Sequence, residues 1–233
     1  MYFSEFVEFV KKWNKSGKFP PRTAWPSEVV FDRHLWDEIT RLHRYTDQTG
    51  YEYESSLFYI ERETIISKPL RGNKDNVHAH HSMQVKYIPD NKYRRYERHI
   101  ILDGRIIQKD FFAPESVPKQ IDSGFLFNMH THPTHLNNTG GKVYTFFSPT
   151  DINSLLKINT LLTGLITDEF WLACKTDQVI SKIGEVGQEM LANITRQSLD
   201  DETMLEQVLK KEIQNWGLVI YRGQFNNTLR KII

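Results

Sequence analysis

The sequence is poor in cysteine. Cys174 is the only one among 233 residues, which excludes an internal disulfide framework and fits a reducing compartment. It sits in the apolar run Phe170-Trp171-Leu172-Ala173-Cys174, where a small core residue is expected. No apolar run approaches the length of a membrane span, so no membrane partner is expected. Neither sign of charge is in excess: 30 Lys and Arg against 29 Asp and Glu leave a formal net charge of +1. That balance argues against a chain that binds nucleic acid mainly by electrostatics. The segment Tyr93-Arg94-Arg95-Tyr96 interleaves aromatics with charge and reads as a solvated strand face. Internal repeats and low-complexity tracts are lacking, and so is a signal-peptide layout, because Ser4 to Lys12 alternates acids with apolar residues. These absences together predict a soluble, cytoplasmic protein that is not a mainly electrostatic binder of nucleic acid. They carry no signal of oligomeric state.

What is present is a regular supply of short elements. Phe6, Phe9, Val10 and Trp13 share a helical face over residues 2–14, ended by Gly17 and Pro20-Pro21. Val29 to Phe31 reads as a strand. Asp32 to Tyr45 reads as an amphipathic helix with Leu35, Trp36, Ile39 and Leu42 inside, and Thr46 to Gly50 as a turn. Strands are expected at 56–60, 64–67, 85–88, 99–102, 105–107 and 125–132, with Asp103-Gly104 as a hairpin turn. A helix is expected from Ile152 to Leu162, ended by Gly164, then strands at 165–167 and 170–174. Residues 185–214 read as two helices, and the last residues as a hairpin. Helices and hairpins alternate, so the fold class is mixed, of the α+β kind. Residues 1–25 read as an N-terminal helical extension. Residues 26–233 read as one domain with a C-terminal helical appendage at about 185–215. A chain of this length can bury a sizeable core.

Chemistry concentrates in Met129-His130-Thr131-His132-Pro133 and Ser148-Pro149-Thr150-Asp151. Side chains alternate across a strand, so His130 and His132 emerge on one face. Ser148 fits an N-cap, Pro149 the first helical position, and Asp151 a first-turn carboxylate. A strand bearing two imidazoles beside a helix start bearing one carboxylate gives three N and O ligands. With an open fourth position, that is the layout of a catalytic zinc site. Ser-x-x-Asp is also an ordinary capping arrangement, but capping leaves both histidines unexplained.

These residues resemble the signature of the JAMM (MPN+, JAB-domain) metalloproteases: a distant Glu, then His-x-His-Pro, then Ser-x-x-Asp. The match is His130-Thr131-His132-Pro133 with Ser148 and Asp151. The departure is spacing, since 18 residues lie between His132 and Asp151, more than the family usually has. The extra segment, Thr134 to Thr145, contains Asn137-Asn138-Thr139-Gly140-Gly141 and reads as an inserted loop beside the site. The resemblance covers roughly residues 30–180. It implies a JAB/MPN fold, a curved mixed sheet packed between helices. It implies Zn2+ on His130, His132 and Asp151, and Ser148 supporting an oxyanion. A Glu general acid/base is implied where a helix leads into a strand, in a Glu-x-x-Gly pattern. Glu52 puts Ser55 at the Gly position; the alternative, Glu54, puts Leu57 there. The implied activity is zinc-assisted hydrolysis of an amide or isopeptide bond, in a ubiquitin-like protein conjugate or a peptide tail. Two other classes stay open: a non-catalytic MPN-type scaffold and a nucleic-acid-associated JAB protein.

Other histidines compete less well. Val77-His78-Ala79-His80-His81 contains a second His-x-His but no obvious third ligand. His135 reads as a surface residue in the inserted segment, and His34 and His43 as structural. Trp171 and Trp216 read as core anchors.

Overall fold

The computed structural model of the chain describes residues 1–74, 77, 81–88, 95–112, 121–134, 146–194 and 212–233. Helix α1 (Phe3–Ser16) buries Phe3, Phe6, Val7 and Val10, the i, i+3, i+4, i+7 stripe of a core-facing helix. Asp32 caps α2 (Arg33–Thr49) by accepting from the Leu35 N–H at 2.9 Å. The helix buries Leu35, Trp36, Ile39 and Leu42 as expected. It also continues one turn beyond Tyr45, where the sequence suggests a turn. Thr46 is buried on its inner face, and the helix stops only at Gly50, whose φ of 67° is the left-handed C-cap conformation.

The strands are β1 (Glu28–Val29), β2 (Tyr53–Ile60), β3 (Glu63–Ile66), β4 (Leu70–Arg71), β5 (His81–Ile88), β6 (Arg95–Leu102), β7 (Arg105–Phe112) and β8 (Ser123–Thr131). After α3 (Pro149–Lys157) come β9 (Leu162–Ile166) and β10 (Phe170–Lys175). After α4 (Glu185–Ile194) come β11 (Leu218–Gly223) and β12 (Leu229–Lys231). The main sheet runs β1-β12-β11-β10-β9-β8-β2-β3, with β4 also paired to β2. All its pairings are antiparallel except β8 with β9, which α3 connects. A register shift at Leu57/Phe58 breaks the β2–β8 ladder.

Strand β10 shows how the layers form. Phe170, Leu172 and Cys174 pack with the α1 and α2 side chains, and Trp171 and Ala173 pack with those of α3 and α4. Successive residues face opposite layers, so a strand covered on both sides is apolar throughout. The class is therefore α+β, a mixed sheet with helices on both faces. α1 packs into the same core cluster as β8 and β9, and α4 packs with α3. Strands β5, β6 and β7 form a separate small sheet, with Ile100 packed on Phe58, Ile60 and Ile65. Its β6–β7 turn is Asp103-Gly104, as expected.

The helix expected over 152–162 is shorter in fact. It ends at Lys157, and Leu162 and Gly164 belong to β9. Gly164 is no helix cap: a Cβ there would lie 2.8 Å from Phe170 Cζ and 3.0 Å from Met129 Cβ, so the residue allows β8, β9 and β10 to pack closely. Of the two helices expected over 185–214, residues 195–211 lie outside the described residues.

Lys175 ends α3 from across the sheet. Its buried ammonium donates to the Ile158 carbonyl at 2.6 Å and the Leu156 carbonyl at 3.4 Å, groups that a helix terminus leaves without intrahelical partners. Burial lowers its pKa from 10.5 to about 8. The unfolded chain then binds more protons between those values, so stability rises with pH across that window. Against a Lys175→Met variant, the native chain is expected to gain up to about 3 kcal/mol between pH 8 and 10.5. Chemical denaturation of both proteins across that range measures it, and parallel curves refute it.

Candidate metal centre

The βα connection places the site. The chain leaves the C-terminal end of β8 and must enter α3 over the same end of the sheet. His130 is the penultimate residue of β8, and His132 lies one residue past it. The His132 N–H donates to the Ile166 carbonyl at 3.0 Å, so the backbone is still tied to β9 there. At the other end Ser148 caps α3. Its hydroxyl accepts from the Asp151 N–H at 3.2 Å, and the Asp151 carboxylate accepts from the Ser148 N–H at 2.7 Å. This capping box fixes the carboxylate at the helix start, where the dipole also favours an anion. Phe146 and Phe147 pin the returning chain. Phe146 stands edge-on to Trp171 at 5.1 Å, and Phe147 lies 6.4 Å from the His130 ring. That packing explains how the chain returns to the site after so long a connection.

Three donors converge as a result. His130 Nε2 and His132 Nε2 are 3.2 Å apart. Asp151 Oδ1 is 3.4 Å from the first, and Asp151 Oδ2 is 3.3 Å from the second. A tetrahedral ion with bonds of about 2.0–2.1 Å has ligand–ligand edges of about 3.3–3.4 Å. The nitrogen–nitrogen edge is close to that figure, and each imidazole has one oxygen of the Asp151 carboxylate at a similar distance. His130, His132 and Asp151 are the group placed to hold a metal ion among the described residues.

The electrostatics agree with a cationic occupant. Burial disfavours a charged His130, yet the Asp151 carboxylate, with Glu52 and Glu54 behind it, overrides burial and raises its pKa to about 9. Burial likewise opposes ionised Asp151, and the two imidazoles beside it hold its pKa well below the ordinary value. The pocket thus draws positive charge to the point where the imidazole nitrogens meet.

Both candidate bases face this centre. Glu52 immediately precedes β2 and is 6 % exposed, with Oε1 3.9 Å from His132 Nε2. Its backbone is held on both sides: its N–H donates to the Asn73 carbonyl, and its own carbonyl accepts from the Gly72 N–H. Burial raises its pKa, against the pull of the two histidines. Glu54 is 2 % exposed and lies opposite His130 in the β2–β8 register. Ser55 points to the other face and donates to the Glu38 carboxylate of α2 at 3.3 Å. Glu52 thus stands beside His132, and Glu54 beside His130. The inserted segment beyond Thr134, His78, His80 and His135 lie outside the described residues.

Thr131, between the two histidines, was not legible as a site residue. Its side chain faces α2, where its hydroxyl bonds the Thr46 hydroxyl and accepts from the Tyr53 N–H at 2.8 Å. Tyr53 separates Glu52 from Glu54, so one hydroxyl ties the ligand strand to the acid-bearing strand. The available signal was period two: a polar residue between two ligands must face the core. Thr131→Val keeps the shape and leaves a buried N–H without its acceptor. We expect a loss of about 1–3 kcal/mol in unfolding free energy, read by urea denaturation; an unchanged midpoint would show that the clamp is idle.

Comparisons of the chain with models of protein families, with curated proteins and with solved structures find no match. The functional reading therefore rests on the chemistry of the site.

Proposed function

We propose that the chain is a JAMM-type zinc metalloprotease, a JAB/MPN-like domain that hydrolyses an amide or isopeptide bond in a ubiquitin-like conjugate or a peptide tail. The observation that carries the reading is the His130–His132–Asp151 set, with edges of 3.2–3.4 Å, beside a buried glutamate. Two imidazole nitrogens and one carboxylate suit zinc and leave a coordination position for chemistry. Zinc supplies, when bound, a Lewis acid that polarises a carbonyl and acidifies a water.

The chain's own groups do the rest. Glu52 Oε1 stands beside the ligand set to accept a proton from the attacking water and return it to the leaving amine. Its raised pKa suits a group that must both take and give that proton. The two imidazoles keep Asp151 ionised, and its carboxylate also caps α3. Ser148 sits at the helix N-cap beside the set, where its hydroxyl hydrogen can support an oxyanion. A non-catalytic scaffold has no use for a carboxylate buried against the histidines. A nucleic-acid role finds no support in a net charge of +1.

The test is elemental analysis of purified protein together with cleavage of fluorogenic lysine isopeptides. About one zinc per chain and chelator-sensitive cleavage are expected. Protein without bound metal after zinc loading would overturn the reading.

A further inference from the structure

A cleft of ≈ 760 Å³ opens from the metal centre between α3 and the sheet, with Glu54, His130 and Asp151 among its lining. Beyond His130 its floor is a row of neutral polar side chains, one from each of three adjacent strands. Ser56 of β2 faces Asn128 of β8, and Asn128 faces Thr163 of β9 in register. Leu155 of α3 and Ile158 beyond it line the same cleft. Such a row is unusual in a sheet this apolar: Ser56 is 1 % exposed and Thr163 5 %.

Asn128 stands out within the row. Thr163 Oγ1 donates to Asn128 Oδ1 at 2.9 Å. Holding the oxygen end leaves the NH2 end, a donor, for the cleft. Asn128 precedes His130 by two residues on the same strand face, an offset of about 6.6–6.8 Å. An extended peptide repeats with that same period. A segment lying along β8 with one carbonyl at the metal centre therefore brings the carbonyl two residues away over Asn128. Glu54, Asp103 and Asp151 line the cleft, and among the described residues lining it there is no Lys or Arg.

Resting on the hydrolase reading above, we propose that Asn128 is a specificity-determining residue. Its Nδ2 donates to a main-chain carbonyl of an extended peptide segment held in this cleft, and Thr163 keeps the carboxamide in that orientation.

The probe is a panel of quenched fluorogenic peptides joined to a lysine side chain, each with one main-chain carbonyl reduced to a methylene. On the native protein, the analogue reduced two residues from the cleaved bond is expected to lose about tenfold in kcat/KM, the worth of one hydrogen bond. On Asn128→Ala the same reduction should cost nothing further. Asn128→Asp, which keeps shape and the Thr163 bond but loses the donor, should behave alike. Fluorescence anisotropy of the intact peptides on zinc-free protein should show the same weakening in both variants, independent of catalysis. Equal losses on native and variant proteins, or unchanged anisotropy, overturn the assignment of Asn128 alone. Failure of the native protein to cleave any member overturns the hydrolase reading, and the role of Asn128 with it.

Discussion

Glu52→Gln is expected to lower hydrolysis by about two to four orders of magnitude, the range of acid–base contributions, with zinc content unchanged. The substitution preserves size and hydrogen-bonding shape but cannot accept a proton at neutral pH. Glu52 is no ligand in the geometry seen: its Oε1 stands 3.9 Å from His132 Nε2, against 3.2–3.4 Å within the ligand set. Metal affinity should therefore survive. Glu54→Gln is the control for the choice between the two acids. Its carboxylate faces His130 across the β2–β8 ladder, so its removal weakens the field around the histidine without removing the proton acceptor. A smaller loss is expected for Glu54→Gln. Steady-state rates on the fluorogenic isopeptides, with elemental analysis beside them, decide it. A dead Glu54→Gln with an active Glu52→Gln reverses the assignment. Two active variants remove the mechanism altogether.

The convergence of His130, His132 and Asp151 was legible because each of them answers to a local rule. Strand alternation put His130 and His132 together, and the Ser148–Asp151 capping box is written in four consecutive residues. The choice between Glu52 and Glu54 was not local. It depends on how β2 enters the sheet, which is set by Thr131, Thr46 and the 72–73 backbone. The same gap explains the errors in element length. Thr46 to Gly50 has the composition of a turn, yet burial of Thr46 and its bond to Thr131 draw the helix on to Thr49. Leu161 and Leu162 continue a helical spacing, yet pairing of β9 with β8 and β10 claims Leu162 for a strand. Gly164 looked like a cap and is instead a close contact between neighbouring strands. Tertiary competition overrode local propensity in each case. Asn128 belongs to the same category: period two places it under His130, but only the β9 register supplies the Thr163 that orients it.

Removing a ligand is expected to have the largest effect of all, and Asp151→Asn is the sharpest form of that experiment. Asp151 serves two masters: its carboxylate accepts from the Ser148 N–H and approaches both histidines. Asparagine keeps an acceptor oxygen for the cap, so α3 should persist at a cost below about 1 kcal/mol. It is a much poorer partner for a dication, so zinc should be lost, and hydrolysis with it. His130→Ala should lose zinc too, and it also leaves a gap beside Phe147, so it confounds packing with ligation. Zinc binding to the folded form adds stability that grows with the ratio of zinc to its dissociation constant, about 2.7 kcal/mol at a hundredfold excess. Chelation should therefore lower the melting temperature of the native protein. It should leave that of Asp151→Asn, already free of metal, where it was. Two melting curves per protein, with and without chelator, separate the alternatives. If Asp151→Asn keeps its zinc and its chelator-dependent shift, the carboxylate serves only the helix. The two histidines then need a different third ligand, and Glu52, 3.9 Å from His132, is a group that could take that place.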